Sequence, residues 1–180
     1  MVAFDCTYGR SISGIMKYYT GVGSRAISQE LKARCMLKAA ELDEKGYILR
    51  SGGAEGADTG FSLGAQRKEI YVPWMSFTEN DKLDQIYPPV HLSPALWEEA
   101  IEILKQINLD KGHLYHILNK RSYTALHTRN VFQVLGADLE SPSDFLWFCS
   151  PTDLLGAPIG GTKTAWLVAQ HFEVPCYQIT

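Results

Sequence analysis

The chain has no excess of positive charge. Its 17 lysines and arginines face 20 aspartates and glutamates, a formal net charge of −3. That argues against a broad duplex-binding surface, which needs a basic footprint, whereas a small anionic ligand needs only a local cation. Cysteine is scarce and scattered. Cys6, Cys35, Cys149 and Cys176 form no CxxC pair, which excludes a zinc or dithiol motif; each sits in or near an apolar run and is expected as a buried thiol. No signal-peptide pattern and no apolar stretch of bilayer length occurs. No membrane partner is therefore expected, and the cytoplasm is the expected compartment. Internal repeats, low-complexity tracts and linkers are also missing. At 180 residues and 46% apolar composition, a single domain with a sizeable core over 1–180 is expected.

What is present is a run of alternating strand-like and helix-like segments. After a lead-in over 1–14, a Tyr-rich strand is expected at Ile15–Thr20. Ser28 then caps a helix whose apolar face is Leu31, Cys35, Ala39 and Leu42, and Gly46 supplies the stop. A second strand covers Tyr47–Arg50, a short helix carries Phe61 and Ala65, and a third strand covers Glu69–Val72, closed by Pro73. Residues 73–93 read as a long ordered loop, a class that is often functional. Ser93-Pro94 opens a helix with Leu96, Ala100, Ile103 and Ile107 on one face. A further helix covers Lys120–Leu135, followed by a strand at Phe145–Cys149, a helix at Thr162–Phe172 and a strand at Val174–Ile179. The pattern predicts an α/β fold: a Rossmann-like, doubly wound, mostly parallel sheet of about five strands with helices on both faces.

Three glycine-rich loops interrupt this pattern between an apolar run and a helix. In Gly21-Val22-Gly23-Ser24-Arg25, the glycines either turn the chain or let a ligand approach, with Ser24 as a hydroxyl donor and Arg25 as a planar cation for phosphate or carboxylate. The third glycine of the dinucleotide fingerprint is missing, and Arg50 and Ser51 stand where that fingerprint places its acid, which argues against an NAD site. Ser51-Gly52-Gly53-Ala54-Glu55-Gly56-Ala57-Asp58 is more than a turn requires. Its acids either suit a helix N-terminus or serve as the carboxylate that holds a ribose or assists glycosidic cleavage through an oxocarbenium-like state. Glu55 and Asp58 are the candidate catalytic residues. In Gly160-Gly161-Thr162-Lys163-Thr164 the lysine stands one place too late for a triphosphatase loop. A helix N-terminus facing phosphate, with donors from Gly160, Gly161 and Thr162 and charge from Lys163, is the better reading.

Two further features bear on a site. Lys105, Lys111, Lys120, Arg121 and Arg129, against Asp110 alone, form either a solvated helical face or a positive rim. His113 and His116 have a metal-capable spacing without a third ligand, so no metal and no cofactor is expected. Trp74 follows Pro73 at the C-terminal end of a strand, where open α/β sheets bind ligands, and is the candidate for stacking on a base.

Together, Tyr19 to Arg25, Ser51 to Asp58, Arg129-Asn130 and Gly160 to Thr162 resemble the SLOG superfamily, over about Lys17 to Thr180. That superfamily includes the Rossmann-like core of the DNA-processing protein A branch and the LOG phosphoribohydrolases. The Ser-Gly-Gly-Ala-Xaa-Gly-Ala-Asp segment and Arg129-Asn130 look most like the former branch. The overall cast is also similar to small stand-alone phage and bacterial proteins of the group. Thr164-Ala165-Trp166-Leu167 lacks the glutamates that follow the corresponding LOG loop. The resemblance implies a nucleotide-like small molecule as partner, bound at the C-terminal edge of the sheet. The leading expectation is a binder that senses or sequesters such a molecule. Arg25, Ser51, Gly52, Gly53, Ala54, Thr162 and Lys163 would hold phosphate, Glu55 or Asp58 the ribose, and Arg129 and Asn130 would act from across the cleft. The alternatives are an N-glycosidic hydrolase and a single-stranded DNA binder using the Lys105–Arg129 face. The resemblance also implies a homo-oligomer, most simply a dimer, and the apolar helices at 94–108 and 120–135 are either its surfaces or core.

Overall fold

The computed structural model of the chain describes residues 16–78, 86–87, 93–111 and 121–180. The lead-in over 1–14, Cys6, Pro88, Pro89, His113, His116 and Lys120 lie outside the described residues, as do the side chains of Asp110 and Lys111.

Six parallel strands form one sheet: β1 (Lys17–Gly23), β2 (Tyr47–Ser51), β3 (Lys68–Tyr71), β4 (Ile86–Tyr87), β5 (Phe145–Cys149) and β6 (Cys176–Gln178), in the order β4-β3-β2-β1-β5-β6. The helices are α1 (Gln29–Glu44), α2 (Ala57–Gly64), α3 (Pro94–Lys111), α4 (Arg121–Leu135) and α5 (Thr162–His171). This is the expected doubly wound α/β class, with every pairing parallel. The sixth strand is the two-residue β4, which lies inside the stretch expected as loop and pairs with the edge of β3 through Ile70 and Tyr71. A two-residue strand is too short to leave a periodic signal in sequence.

Side-chain alternation along the strands divides the core in two. Leu146 and Phe148 of β5, with Val22 of β1, join the cluster under α3, α4 and α5; Phe145, Trp147 and Cys149 join the one under α1 and α2, with Tyr19, Leu49 and Phe61. Ala100, Leu104 and Ile107 of α3, and Val131, Phe132, Val134 and Leu135 of α4, are all spent in the first cluster. The apolar faces of these two helices are thus largely core. Ser28 caps α1 as expected, its Oγ accepting from Leu31 N at 3.1 Å, a contact of the kind that stabilises a helix by about 1 kcal/mol.

β1 differs from its expected span. It starts at Lys17 and continues through Gly21, Val22 and Gly23, which pair with Trp147, Phe148 and Cys149 of β5. Gly21 is therefore a packing residue rather than a ligand contact. A Cβ there would stand 2.7 Å from Phe61 Cγ and 2.8 Å from Leu49 Cδ1, so its absence lets α2 close onto the sheet. Gly23 leaves the same kind of room where Ala57 and the Cys149 carbonyl crowd β1, and unlike Gly21 it also lines the crevice.

The strand order reverses direction between β1 and β5. β1 to β4 step outward one way, β5 and β6 the other, so the loops leaving the C-terminal ends of β1 and β5 part and open a crevice between them.

Candidate functional site

The crevice is a cavity of about 460 Å³. Its walls are the β1 loop (Ser24, Arg25), the β5 loop (Ser150, Pro151, Ile159), the start of α5 (Gly160, Gly161, Thr162) and one face of α4 (Tyr123, His127, Arg129, Asn130, Gln133).

The segment Ser51–Asp58 is first of all the clasp that shapes this cavity. Ser51 is wholly buried, and its Oγ donates to Gly21 O at 2.6 Å. Gly52 has no room for a side chain, because a Cβ would fall on the Arg129 guanidinium. Gly56, at φ +81°, lies where a Cβ would press on the Ser24 and Arg25 carbonyls, and Ala57 N donates to Ser24 O at 3.1 Å. Asp58 accepts from Gly23 N at 3.2 Å and from Ala54 N at 3.3 Å. The amino end of α2 is thereby filled from within the chain.

Arg129 completes the clasp. Its Nη1 lies 3.8 Å from Asp58 Oδ2, with the two side chains 8% and 5% exposed. Burial pushes the Asp58 carboxyl up from its ordinary value, against the pull of Arg129 and the Ala54 and Gly23 N–H groups. Burial likewise pulls Arg129 down, against the pull of Asp58. Each group holds its charge through the other, since an isolated buried charge costs several kcal/mol or more. The Gln133 amide oxygen accepts from Gly52 N at 2.9 Å and from Arg129, and its nitrogen donates to Asn130 Oδ1 at 3.1 Å. Asn130 Nδ2 donates in turn to Gly161 O at 3.3 Å. One turn of α4 thus ties the β2 loop to the β5 loop.

These placements sort the expected residues. Ser51, Gly52, Asp58, Arg129 and Asn130 hold the walls, and of these Asp58, Arg129 and Asn130 also face the cavity. Asp58 is the one carboxylate that lines it among the described residues, and both of its oxygens are engaged. Glu55 does not reach it. Glu55 and Gly53 line a second cavity that shares Arg25 with the first, and Ala54 lines both. Lys163 turns away from the cavity to Asp153, 3.7 Å distant, because the first turn of α5 sends successive side chains to different faces. Trp74 lines neither cavity; it is exposed and meets Phe77 edge-on at 5.4 Å between ring centroids. Of the expected basic face, Arg129 is interior, Lys105 pairs with Glu102 at 2.6 Å and Arg121 is exposed, while Lys120 and the Lys111 side chain lie outside the described residues.

What remains for a ligand is compact. Arg25 is exposed and has no ion-pair partner among the described residues, and its guanidinium sits 5.8 Å from the Phe77 ring centroid. Facing it, the start of α5 carries Gly160 at φ +70°, with open space around it, and buried Thr162. The positive end of that helix dipole points at the cavity. His127 Nδ1 and Thr164 Oγ1 are 2.7 Å apart and anchor α4 against α5. Phe77, His127, Gln133 and Ser150 carried no motif. Gln133 had one legible signal, since it follows Arg129 by four residues and Asn130 by three, a spacing that shares a helix face.

Among the described residues no group of three or more His, Cys, Asp or Glu gathers as for a metal, and no helix is long and apolar enough to cross a membrane. Cys35 and Cys149 are buried thiols and Cys176 is half-buried.

Fold and site define a doubly wound α/β protein with a cavity of mixed polar and apolar lining at its topological switch point. Among solved structures it is similar to DNA processing protein A from Helicobacter pylori, described for its unique single-stranded DNA binding mode, at 17% identity and a TM-score of 0.51. The match covers 91% of this chain and 64% of that one, so the chain spans less than two thirds of its neighbour's length. No family model matches the sequence, and no curated protein matches it.

Proposed function

We propose that the cavity binds one nucleotide unit, with its phosphate between Arg25 and the amino end of α5. The carrying observation is the convergence on one cavity at the switch point of a helix N-terminus and a guanidinium with no ion-pair partner among the described residues. Its volume of about 460 Å³ falls within the roughly 300–1,000 Å³ of small-molecule sites. Backbone N–H groups and a planar cation are the donors that a phosphate accepts best. Binding is favoured over glycosidic cleavage because the cavity offers no unengaged carboxylate among the described residues. Sensing or sequestering a free nucleotide fits a site of this kind.

A second reading, in which the unit belongs to single-stranded DNA, is favoured by the fold likeness to a protein described as binding such DNA. Titration of the wild type and of Arg25→Ala with nucleoside monophosphates and with a short oligothymidylate tests both. The wild type is expected to bind at least one of these ligands and the variant to lose about tenfold or more, the value of a charge-assisted contact. Binding by neither ligand class, or equal affinity in Arg25→Ala, overturns the proposal. Steep weakening with salt for the oligonucleotide alone selects the second reading.

A further inference from the structure

Beside the first cavity lies a second, of about 590 Å³. The two share Arg25 and Ala54. Apart from the shared Arg25, the charged side chains of the second cavity are one cation, Lys68, and one anion, Glu55. Lys68 donates from Nζ to Ser62 O at 3.0 Å and Oγ at 2.8 Å, and Glu55 stands exposed on the same wall. A second phosphate would meet the Glu55 carboxylate there, whereas a neutral group with hydrogen-bonding edges would find an acceptor. Phe77 supplies an aromatic wall at the seam, its centroid 5.8 Å from Arg25 Cζ and 5.4 Å from Arg129 Cζ. An aromatic ring beside a cation is the surface on which nucleobases stack irrespective of their identity. Exposed Leu63 and the Thr59 side of α2 close the far wall.

Resting on the reading of the first cavity as a nucleotide site, we propose that the second cavity is a subsite for the neighbouring nucleoside. Two nucleosides joined by a phosphodiester would straddle Arg25, with the linking phosphate on its guanidinium and the second base against Phe77. This chemistry has two sources, a free dinucleotide and a single strand.

The experiment measures Kd for thymidine 5′-monophosphate, for the 5′-phosphorylated thymidine dinucleotide and for the hexanucleotide, with the wild type, Phe77→Ala and Leu63→Glu. In the wild type the dinucleotide is expected to bind about tenfold tighter than the mononucleotide, from one added stacked base; a mononucleotide too weak to measure beside a bound dinucleotide gives the same support. Both substitutions are expected to bring that ratio toward one. Leu63 is 63% exposed, so its replacement by Glu keeps the test valid if Phe77→Ala does not fold. A hexanucleotide no tighter than the dinucleotide identifies a free dinucleotide as the source, and a further gain identifies a strand. A wild-type ratio of one, or a ratio unmoved by Leu63→Glu, overturns the second subsite and leaves the first cavity standing. Absence of binding by all three ligands overturns the first cavity's reading, and the subsite with it.

Discussion

The Arg129 guanidinium packs so closely over Gly52 that no side chain fits between them, and its other neighbour, 3.8 Å away, is the Asp58 carboxylate. A cation from α4 thus closes the glycine loop of β2 from above while an acid from α2 holds it from below. The loop's sequence is the record of that closure: a hydroxyl that ties it to β1, glycines where a guanidinium and two carbonyls crowd it, and an acid that collects two backbone N–H groups.

Gly52→Ala is expected to cost about 3 kcal/mol, because the new Cβ displaces a buried, ion-paired arginine. Gly161→Ala is the control. Its φ is −63° and no atom lies within 4 Å of the added methyl, so stability should stay within about 0.5 kcal/mol. Urea unfolding of the two variants beside the wild type measures both; equal effects would show that Arg129 does not occupy the space over Gly52.

Arg129→Met is expected to destabilise by about 3 kcal/mol or more, leaving Asp58 buried without its cation. Asp58→Asn added to Arg129→Met should recover part of that loss, since the orphaned charge is then gone. A double-mutant cycle from unfolding curves gives the coupling, and a coupling near zero would place the two charges apart in solution.

Arg25→Ala and Lys163→Ala separate the cations of the site. Arg25 lines both cavities, whereas Lys163 faces Asp153. The first substitution should weaken nucleotide binding about tenfold or more and the second by less than about twofold. Neither should shift the unfolding midpoint appreciably, as Arg25 is exposed and the Lys163 pair is partly exposed. Calorimetric titration reads the affinities, and a larger loss in Lys163→Ala would relocate the phosphate.

The turn in the β5 loop should respond to acid. The Ala157 N–H, with that of Leu155 and nearby Lys163, holds the Asp153 carboxyl below its ordinary value. An acid lowered in the folded state stabilises above its unfolded value, and the contribution disappears as pH falls through the folded one. The Leu155 and Ala157 amide shifts should therefore titrate together with a midpoint below that of an ordinary aspartate. Asp153→Asn should abolish the step, and a midpoint at or above the ordinary value would show that the turn is not closed by this side chain.

Much of the architecture was readable because it rests on local chemistry. Apolar spacing along 29–44, the Ser28 cap and the Gly46 stop describe α1 without reference to anything else. Strand-like and helix-like runs in alternation are enough to require a parallel, doubly wound sheet. The crevice also followed, since a sheet wound in both directions opens where its loops part. β4 did not follow, because two residues have no period, and β1 ran longer than expected because its glycines are held in the ladder by β5 rather than by their own preference.

By itself, the sequence determined the fold class, the three loops and the cation Arg25, all of which depend on neighbours in the chain. Tertiary structure alone decided which of the marked residues face the cavity and which face the protein. Asp58, Gly52 and Ser51 carry the strongest motif, yet they bind Gly23, Arg129 and Gly21, partners from other elements whose approach no local spacing encodes. Phe77, without any motif, stands beside Arg25 because β3 delivers it to the same edge of the sheet. Backbone preference and periodicity act over a few residues, whereas a cavity is made by the approach of segments that are far apart in sequence.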